Sequence, residues 1–181
     1  MNKLRVSYSL LNSWKAGRVD DCVNMYLHKE MPRTRQMQEG IEWDDKQMES
    51  ATANGKLTKE FLDYPLVKPQ TQLKLEIDYS EHFTLVTKLD IYDSPTVIEL
   101  KTGKRSALSY LNSEQLDMYG LACKLKGLEV EKIMVIRYDQ YNNKCDWAFK
   151  WMNETVEEKA HNFIQTYGGE LHDYFGKIGI L

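Results

Sequence analysis

The most constraining stretch of this sequence runs from Thr71 to Thr102, where apolar residues recur with a period of two. Leu73, Leu75, Ile77 and Tyr79 alternate with Gln72, Lys74, Glu76 and Asp78, the pattern of a strand with one buried face. A second strand is expected over about 83–92 and a third over about 97–102, with a turn at Asp93-Ser94-Pro95-Thr96 between them.

Helical patterns flank this region. Ser7 or Ser9 would cap a first helix carrying Leu10, Leu11 and Trp14, ending near Gly17. Asp20 or Asp21 would open a second, with Val23, Tyr26 and Leu27 on one face, before Pro32 breaks the chain. The polar stretch 34–53, rich in Gln, Glu and Met, reads as a third helix stopped by Asn54-Gly55. After Gly103, a helix over about 107–126 would place Leu108, Leu111, Met118, Ala122 and Leu125 on one stripe and close at Gly127. Strands are expected over about 129–138 and 146–151 around a turn at Asn142-Asn143. A last helix over about 154–175 carries Val156, Ala160, Phe163, Ile164, Tyr167 and Leu171 at helical spacing. This order predicts an α/β (α+β) sandwich around one mixed sheet. The expectation is a single domain over 1–181, with a helical part at 1–56, a sheet region at 71–152 and a C-terminal helix at 154–177.

Composition narrows the setting. The 181 residues suit one domain burying roughly two thirds of its unfolded surface. The net charge of −3 identifies no partner, because a mildly acidic chain can still carry a local basic groove. No run approaches the ~20 apolar residues of a membrane span, and the start lacks a signal-peptide core. Cys22, Cys123 and Cys145 are odd in number, widely spaced and without a CxxC pair, which argues against a disulfide framework or zinc. A reducing, cytoplasmic location is expected.

Chemistry concentrates in two strands, Lys88-Leu89-Asp90-Ile91-Tyr92 and Ile98-Glu99-Leu100-Lys101-Thr102-Gly103-Lys104. Glu99 and Lys101, two apart, share a strand face. A hairpin closed by Asp93 opposite Thr96 pairs position 90 with 99, setting two carboxylates ~5 Å apart on one face. They repel unless a cation lies between them, and a one-residue slip would separate them. Hard oxygen ligands suit Mg²⁺ or Mn²⁺, which polarise phosphoryl oxygens and acidify bound water. Lys101 would orient that water or stabilise the charge of a phosphorane. Phosphodiester hydrolysis needs this set of parts.

Each feature also has a plain structural reading. Glu99 with Lys101 alone describes an ion-paired strand edge, and Gln115 with Tyr119 a helix-surface pair. Glu76 reads as a solvated strand residue. His28, His82, His161 and His172 show no metal-ligand spacing. Trp14, Trp43, Trp147 and Trp151 would stack on bases or, by default, pack in the core. Lys101, Lys104 and Arg105, with Lys29, Arg33 and Arg35, would line a phosphate-binding groove or form solvated faces.

Asp90 followed by Glu99-Leu100-Lys101 resembles the D…(D/E)xK signature of the PD-(D/E)XK nuclease superfamily. Gln115-Leu116-Asp117-Met118-Tyr119 is similar to the QxxxY motif of its RecB-like branch, which includes CRISPR-associated RecB-family exonucleases. The N-terminal Ser7-Tyr8-Ser9-Leu10, with Cys22 and Tyr26-Leu27, also resembles the start of RecB-like domains, so the likeness covers about 7–125. It implies a restriction-endonuclease-like core and a divalent metal bound by Asp90, Glu99 and the Leu100 carbonyl. It also implies an assisting Lys101 and a substrate strand positioned by Gln115 and Tyr119, with Lys104 and Arg105 as further DNA contacts.

Three departures stand out. The glycine usual before the metal-binding Asp is absent, Thr87 and Lys88 standing there. The family's GxxxH reads Gly40-Ile41-Glu42-Trp43-Asp44, so Asp44 would replace the imidazole, with Glu42 or Asp45 as alternatives. Such an all-oxygen site would favour Mg²⁺. Only Cys22 matches the four cysteines of iron–sulfur members, and no cluster is expected. The implied activity is a DNA nuclease, an exonuclease by resemblance, trimming ends in repair, recombination or phage replication. GxxxxGK[ST] is absent, so a helicase or recombination partner would be a separate protein. The alternatives are a catalytically degenerate DNA-binding module of the same fold and a structure-specific or restriction-type endonuclease.

Overall fold

The computed structural model of the protein describes residues 3–28 and 35–181. In chain order the elements are β1 (Leu4–Val6), α1 (Tyr8–Lys15), α2 (Val19–Leu27), α3 (Arg35–Asn54), a 3-10 turn (Lys59–Phe61), β2 (Gln70–Asp78), β3 (Phe83–Asp93), β4 (Thr96–Thr102), α4 (Ala107–Leu111), α5 (Glu114–Leu125), β5 (Lys132–Asp139), β6 (Lys144–Trp151) and α6 (Glu154–Lys177). Among the described residues no helix is long and apolar enough to cross a membrane. Lys29, Pro32 and Arg33 lie outside the described residues.

The sheet is organised around β3. β2 lies antiparallel along one edge of it, from Gln70 opposite Tyr92 to Asp78 opposite Thr84. The other edge is shared: β1 runs parallel to 83–85 and β4 antiparallel to 91–93. Because β2 holds the opposite edge at both ends, β1 and β4 lie on the same side of β3, with 86–90 open between them. The sheet continues through β5, parallel to β4, to β6 at the far edge. The result is an α/β fold with a six-stranded mixed sheet covered by helices on both faces.

On one face α1, α2, α5 and α6 bury Leu10, Leu85, Leu121, Val135 and Phe163. On the other, α3 and the 3-10 turn bury Met48 and Phe61 over Ile98, Leu100 and Ile136. Each such side chain contributes about 1.5–3 kcal/mol of burial. α5 sits tightly against β5 because Gly120 has no side chain. A Cβ there would stand 2.6 Å from Met152 Sδ and 2.7 Å from Ile133 Cδ1.

Local signals explain most boundaries. Ser7 Oγ accepts the Leu10 N–H and caps α1, and Asn153 caps α6 through Val156 N–H at 3.0 Å. Two expectations need correction. β1 precedes the first helix, too short for a period-two pattern to register. The helix expected over 107–126 is two helices, broken where Ser113 takes an extended conformation. The break takes Leu108 out of the apolar stripe, and it is 60% exposed.

Candidate active site

β4 carries Ile98 and Leu100 into the core beneath α3, and Val97 into the core on the opposite face. Strand alternation therefore sends Glu99 and Lys101 to the Val97 side, where Tyr119 of α5 also packs. The hairpin has the register that its turn spacing predicts: Asp93 pairs with Thr96, Tyr92 with Val97 and Ile91 with Ile98.

The next step would oppose Asp90 and Glu99, and there the ladder stops. Asp90 Oδ2 instead accepts the Leu100 N–H at 2.9 Å. A residue in an antiparallel ladder offers its N–H and C=O to the same neighbour, so the Leu100 carbonyl faces the same opening. β3 is interrupted on its other edge as well. Gln72, which would pair with Asp90, has φ of 54° and drops out of the ladder between Thr71 and Leu73. A left-handed non-glycine residue costs on the order of 1 kcal/mol. Asp90 thus stands where both neighbouring strands release β3.

Charge is concentrated at that point. Glu99 is only 2% exposed. Its Oε1 is ion-paired with Lys101 Nζ, while its Oε2 is buried without a hydrogen-bond partner. Burial raises the Asp90 carboxyl well above the carboxylate range. Glu99 and Asp44 raise it further, while Lys101 and the Leu100 N–H oppose the shift. For Lys101, burial pulls downward, and the carboxylates of Glu99, Asp90 and Asp44 more than reverse it, holding the ammonium above its ordinary value.

α3 supplies Asp44. Burial pushes its carboxyl up to about 7, with Glu99 and Asp45 adding to the shift and Lys101 and Lys88 opposing it. Glu42 and Asp45 are exposed. Of the three acids left open by sequence, Asp44 is the one whose field is tied to Glu99, Asp90 and Lys101.

From α5, Gln115 Nε2 donates to the Tyr119 hydroxyl at 2.7 Å. Burial raises Tyr119 and the charges of Glu99 and Asp90 raise it further, keeping the phenol protonated. Tyr8 of α1 is also raised, first by burial and then by Glu114, while Lys15 and Lys101 lower it. Its place within the field of Lys101 was not legible from spacing, because it belongs to a distant element.

Other candidates lie elsewhere. Lys104 and Arg105 are exposed in the loop after β4. Arg35 is exposed and ion-paired with Glu39. Glu76 forms a two-pronged bond to Arg5 at 2.8 and 3.0 Å, consistent with a solvated strand residue. His161 Nδ1 meets the Tyr79 hydroxyl at 2.6 Å, and the His82 and His172 rings lie 4.8 Å apart, tilted by 48°. The default of core packing fails for Trp147 and Trp151, which are 55% and 60% exposed on edge strand β6.

The donor set fits a hard divalent cation in chemistry. The carboxyls of Asp90, Glu99 and Asp44 lie within one another's electrostatic reach, and Glu99 Oε2 lacks a partner. As the side chains stand, the Lys101 ammonium supplies the counter-charge. Among the described residues no three His, Cys, Asp or Glu side chains are grouped closely enough to hold an ion unaided.

No family model matches the sequence, and no curated protein is similar to it in sequence. Solved structures do share its shape. The phage-related exonuclease from Haemophilus somnus 129PT aligns with a TM-score of 0.59 at 10% identity, over 98% of this chain and 97% of that one. The alkaline exonuclease from Laribacter hongkongensis aligns at 0.56 and 11% identity, over 97% and 93%. At such identities the likeness establishes the fold, and it does so across nearly the whole chain.

Proposed function

We propose that the protein is a divalent-metal-dependent DNA nuclease of the RecB-like PD-(D/E)XK type. It would hydrolyse phosphodiester bonds, as an exonuclease at DNA ends. The observation that carries this reading is the convergence of Asp90, Glu99, Lys101 and Asp44 where β3 and β4 part, with one Glu99 oxygen unpartnered. The fold shared with two exonucleases supports it.

In this reading Asp90, Glu99, Asp44 and the Leu100 carbonyl hold Mg²⁺ or Mn²⁺. The bound ion would polarise a phosphoryl oxygen and acidify water. Lys101, kept protonated by its neighbours, stabilises negative charge gathering on the phosphate as water attacks. Gln115 and Tyr119 position the substrate strand, and Lys104 and Arg105 contact its backbone. A protein of this kind would work inside the cell, on ends produced in repair, recombination or phage replication, beside a separate helicase or recombination partner.

The test incubates purified protein with end-labelled single- and double-stranded DNA and a closed circle, in Mg²⁺, Mn²⁺ or EDTA, beside Lys101→Ala. Metal-dependent loss of linear DNA, abolished by the substitution, is expected. Equal cutting of the closed circle would make the protein an endonuclease. DNA binding without cleavage would make it a degenerate binding module.

A further inference from the structure

Beyond Lys101 the chain builds a cleft of about 380 Å³, lined by Glu39, Thr102, Gly103, Lys104, Tyr110 and Tyr141 among others. That volume falls within the range of small-ligand sites. The cleft adjoins the candidate active site. Thr102 and Gly103 directly follow Lys101, and Glu39 lies five residues before Asp44 on α3, about 7.5 Å along the helix.

Its walls are held in place by one acidic residue. Asp139 Oδ1 accepts the N–H groups of Tyr141 and Asn142 at 3.0 and 3.3 Å, fixing the turn that presents Tyr141. Asp139 also pairs with Arg137, whose Nη1 donates to the Gly103 carbonyl at 3.0 Å. Gly103 has φ of 132°, and a Cβ there would stand 3.3 Å from the Tyr110 hydroxyl. The β4 loop and the β5–β6 turn are therefore braced against each other.

The groups presented by these walls have a consistent chemistry. Lys104 Nζ lies over one face of the Tyr141 ring, 4.8 Å from its centroid, and Tyr141 is 68% exposed. Among the described residues neither Lys104 nor Arg105 has a carboxylate partner. The cleft's acid, Glu39, is neutralised by Arg35 at 2.9 Å. The exposed remainder of the Tyr141 ring, beside two cations that have no carboxylate partner, suits a nucleotide: a base stacks on the ring face that Lys104 does not cover and its phosphate meets the cations.

We propose that this cleft is a subsite for an unpaired nucleotide next to the scissile phosphate, with Tyr141 as its stacking platform. The proposal rests on the nuclease reading above and deepens it. A base inside a duplex has both faces covered by its neighbours, so only a single-stranded or frayed end can use Tyr141. The protein therefore prefers single-stranded ends to blunt duplex ends.

The test measures binding of a fluorescein-labelled single strand and of a blunt hairpin duplex in EDTA, for the wild type, Tyr141→Ala and Tyr141→Phe. Tyr141 is exposed in a turn, so its replacement leaves the fold intact. The expected result is tighter wild-type binding of the single strand, weakened about tenfold by Tyr141→Ala, little change for the duplex, and recovery with Tyr141→Phe. Unchanged single-strand binding by Tyr141→Ala, an equal loss for both substrates, or no wild-type binding would overturn it. Cleavage of the same substrates by the wild type in Mg²⁺ tests the nuclease reading by itself. Cleavage with Tyr141-independent binding removes only the subsite. Tyr141-dependent binding without cleavage keeps the subsite on a non-catalytic DNA-binding fold.

Discussion

The carboxylate of Asp90 accepts the backbone N–H of Leu100 at 2.9 Å, doing the work of the strand carbonyl that would stand there if β3 and β4 stayed paired. Asp90 is thus both a structural acceptor and a buried acid crowded by other carboxylates, and two substitutions separate the roles. Asp90→Asn retains an oxygen for the Leu100 N–H and removes a carboxylate crowded by Glu99 and Asp44. It should unfold at or above the wild-type denaturant midpoint while nuclease activity falls at least a hundredfold. Asp90→Ala strands the N–H and should lose about 1–3 kcal/mol of stability as well. Urea unfolding beside an end-labelled DNA assay distinguishes the two.

Lys101 is the counter-ion of a buried acidic cluster. Lys101→Met leaves Glu99 and Asp90 uncompensated, at a cost of about 3–5 kcal/mol in EDTA. A divalent ion should then replace the missing charge, so Mg²⁺ should raise the melting temperature of the variant more than that of the wild type. Scanning calorimetry across a Mg²⁺ titration measures this. Equal shifts would mean that the carboxylates do not share an ion.

How much of this was legible in the sequence depends on how local the signal is. The register of the β3–β4 hairpin as far as Ile91 opposite Ile98 followed from the Asp93–Thr96 turn alone, because one closing pair fixes every pair after it. Gln115 and Tyr119 followed from i,i+4 spacing on one helix. The parting of the strands at Asp90 was not visible, since it depends on a side chain displacing a ladder bond and on Gln72 turning left-handed. The approach of Tyr8 to the field of Lys101 was equally hidden, because it comes from an element far away in the chain. The split between α4 and α5 escaped because its residues keep an apolar stripe on paper, although Leu108 faces solvent.

Asp44 makes stability depend on pH with a definite sign. Its carboxyl is raised from 3.8 to about 7, first by burial. The group therefore favours the folded state most below about pH 4, and that contribution is lost as pH rises through about 7. A shift of about three units corresponds to at most about 4 kcal/mol, and partial exposure reduces this to about 2. Asp44→Asn should therefore stabilise the metal-free protein by about 2 kcal/mol near pH 8 and by much less near pH 5. Unfolding curves at both values in EDTA give the comparison. A constant increment at both would place the Asp44 carboxyl in open solvent.

The Gln115–Tyr119 bond tests whether α5 serves the substrate or only the fold. The Tyr119 hydroxyl is buried, accepts from Gln115 at 2.7 Å and lies in the field of Glu99 and Asp90. Tyr119→Phe removes one neutral hydrogen bond, a loss of about 1 kcal/mol in stability, and leaves the ring seated in the core. If the pair is purely structural, stability falls and both kcat and KM on DNA stay unchanged. If it positions the strand, KM should rise several-fold with kcat nearly constant, since a contact made equally in ground and transition states affects binding alone. Gln115→Ala, which leaves the ring and its hydroxyl in place, should then raise KM by a similar factor. Steady-state kinetics on single-stranded DNA for the two variants decides the matter, and a fall in kcat at constant KM would move the pair from strand positioning to the chemical step.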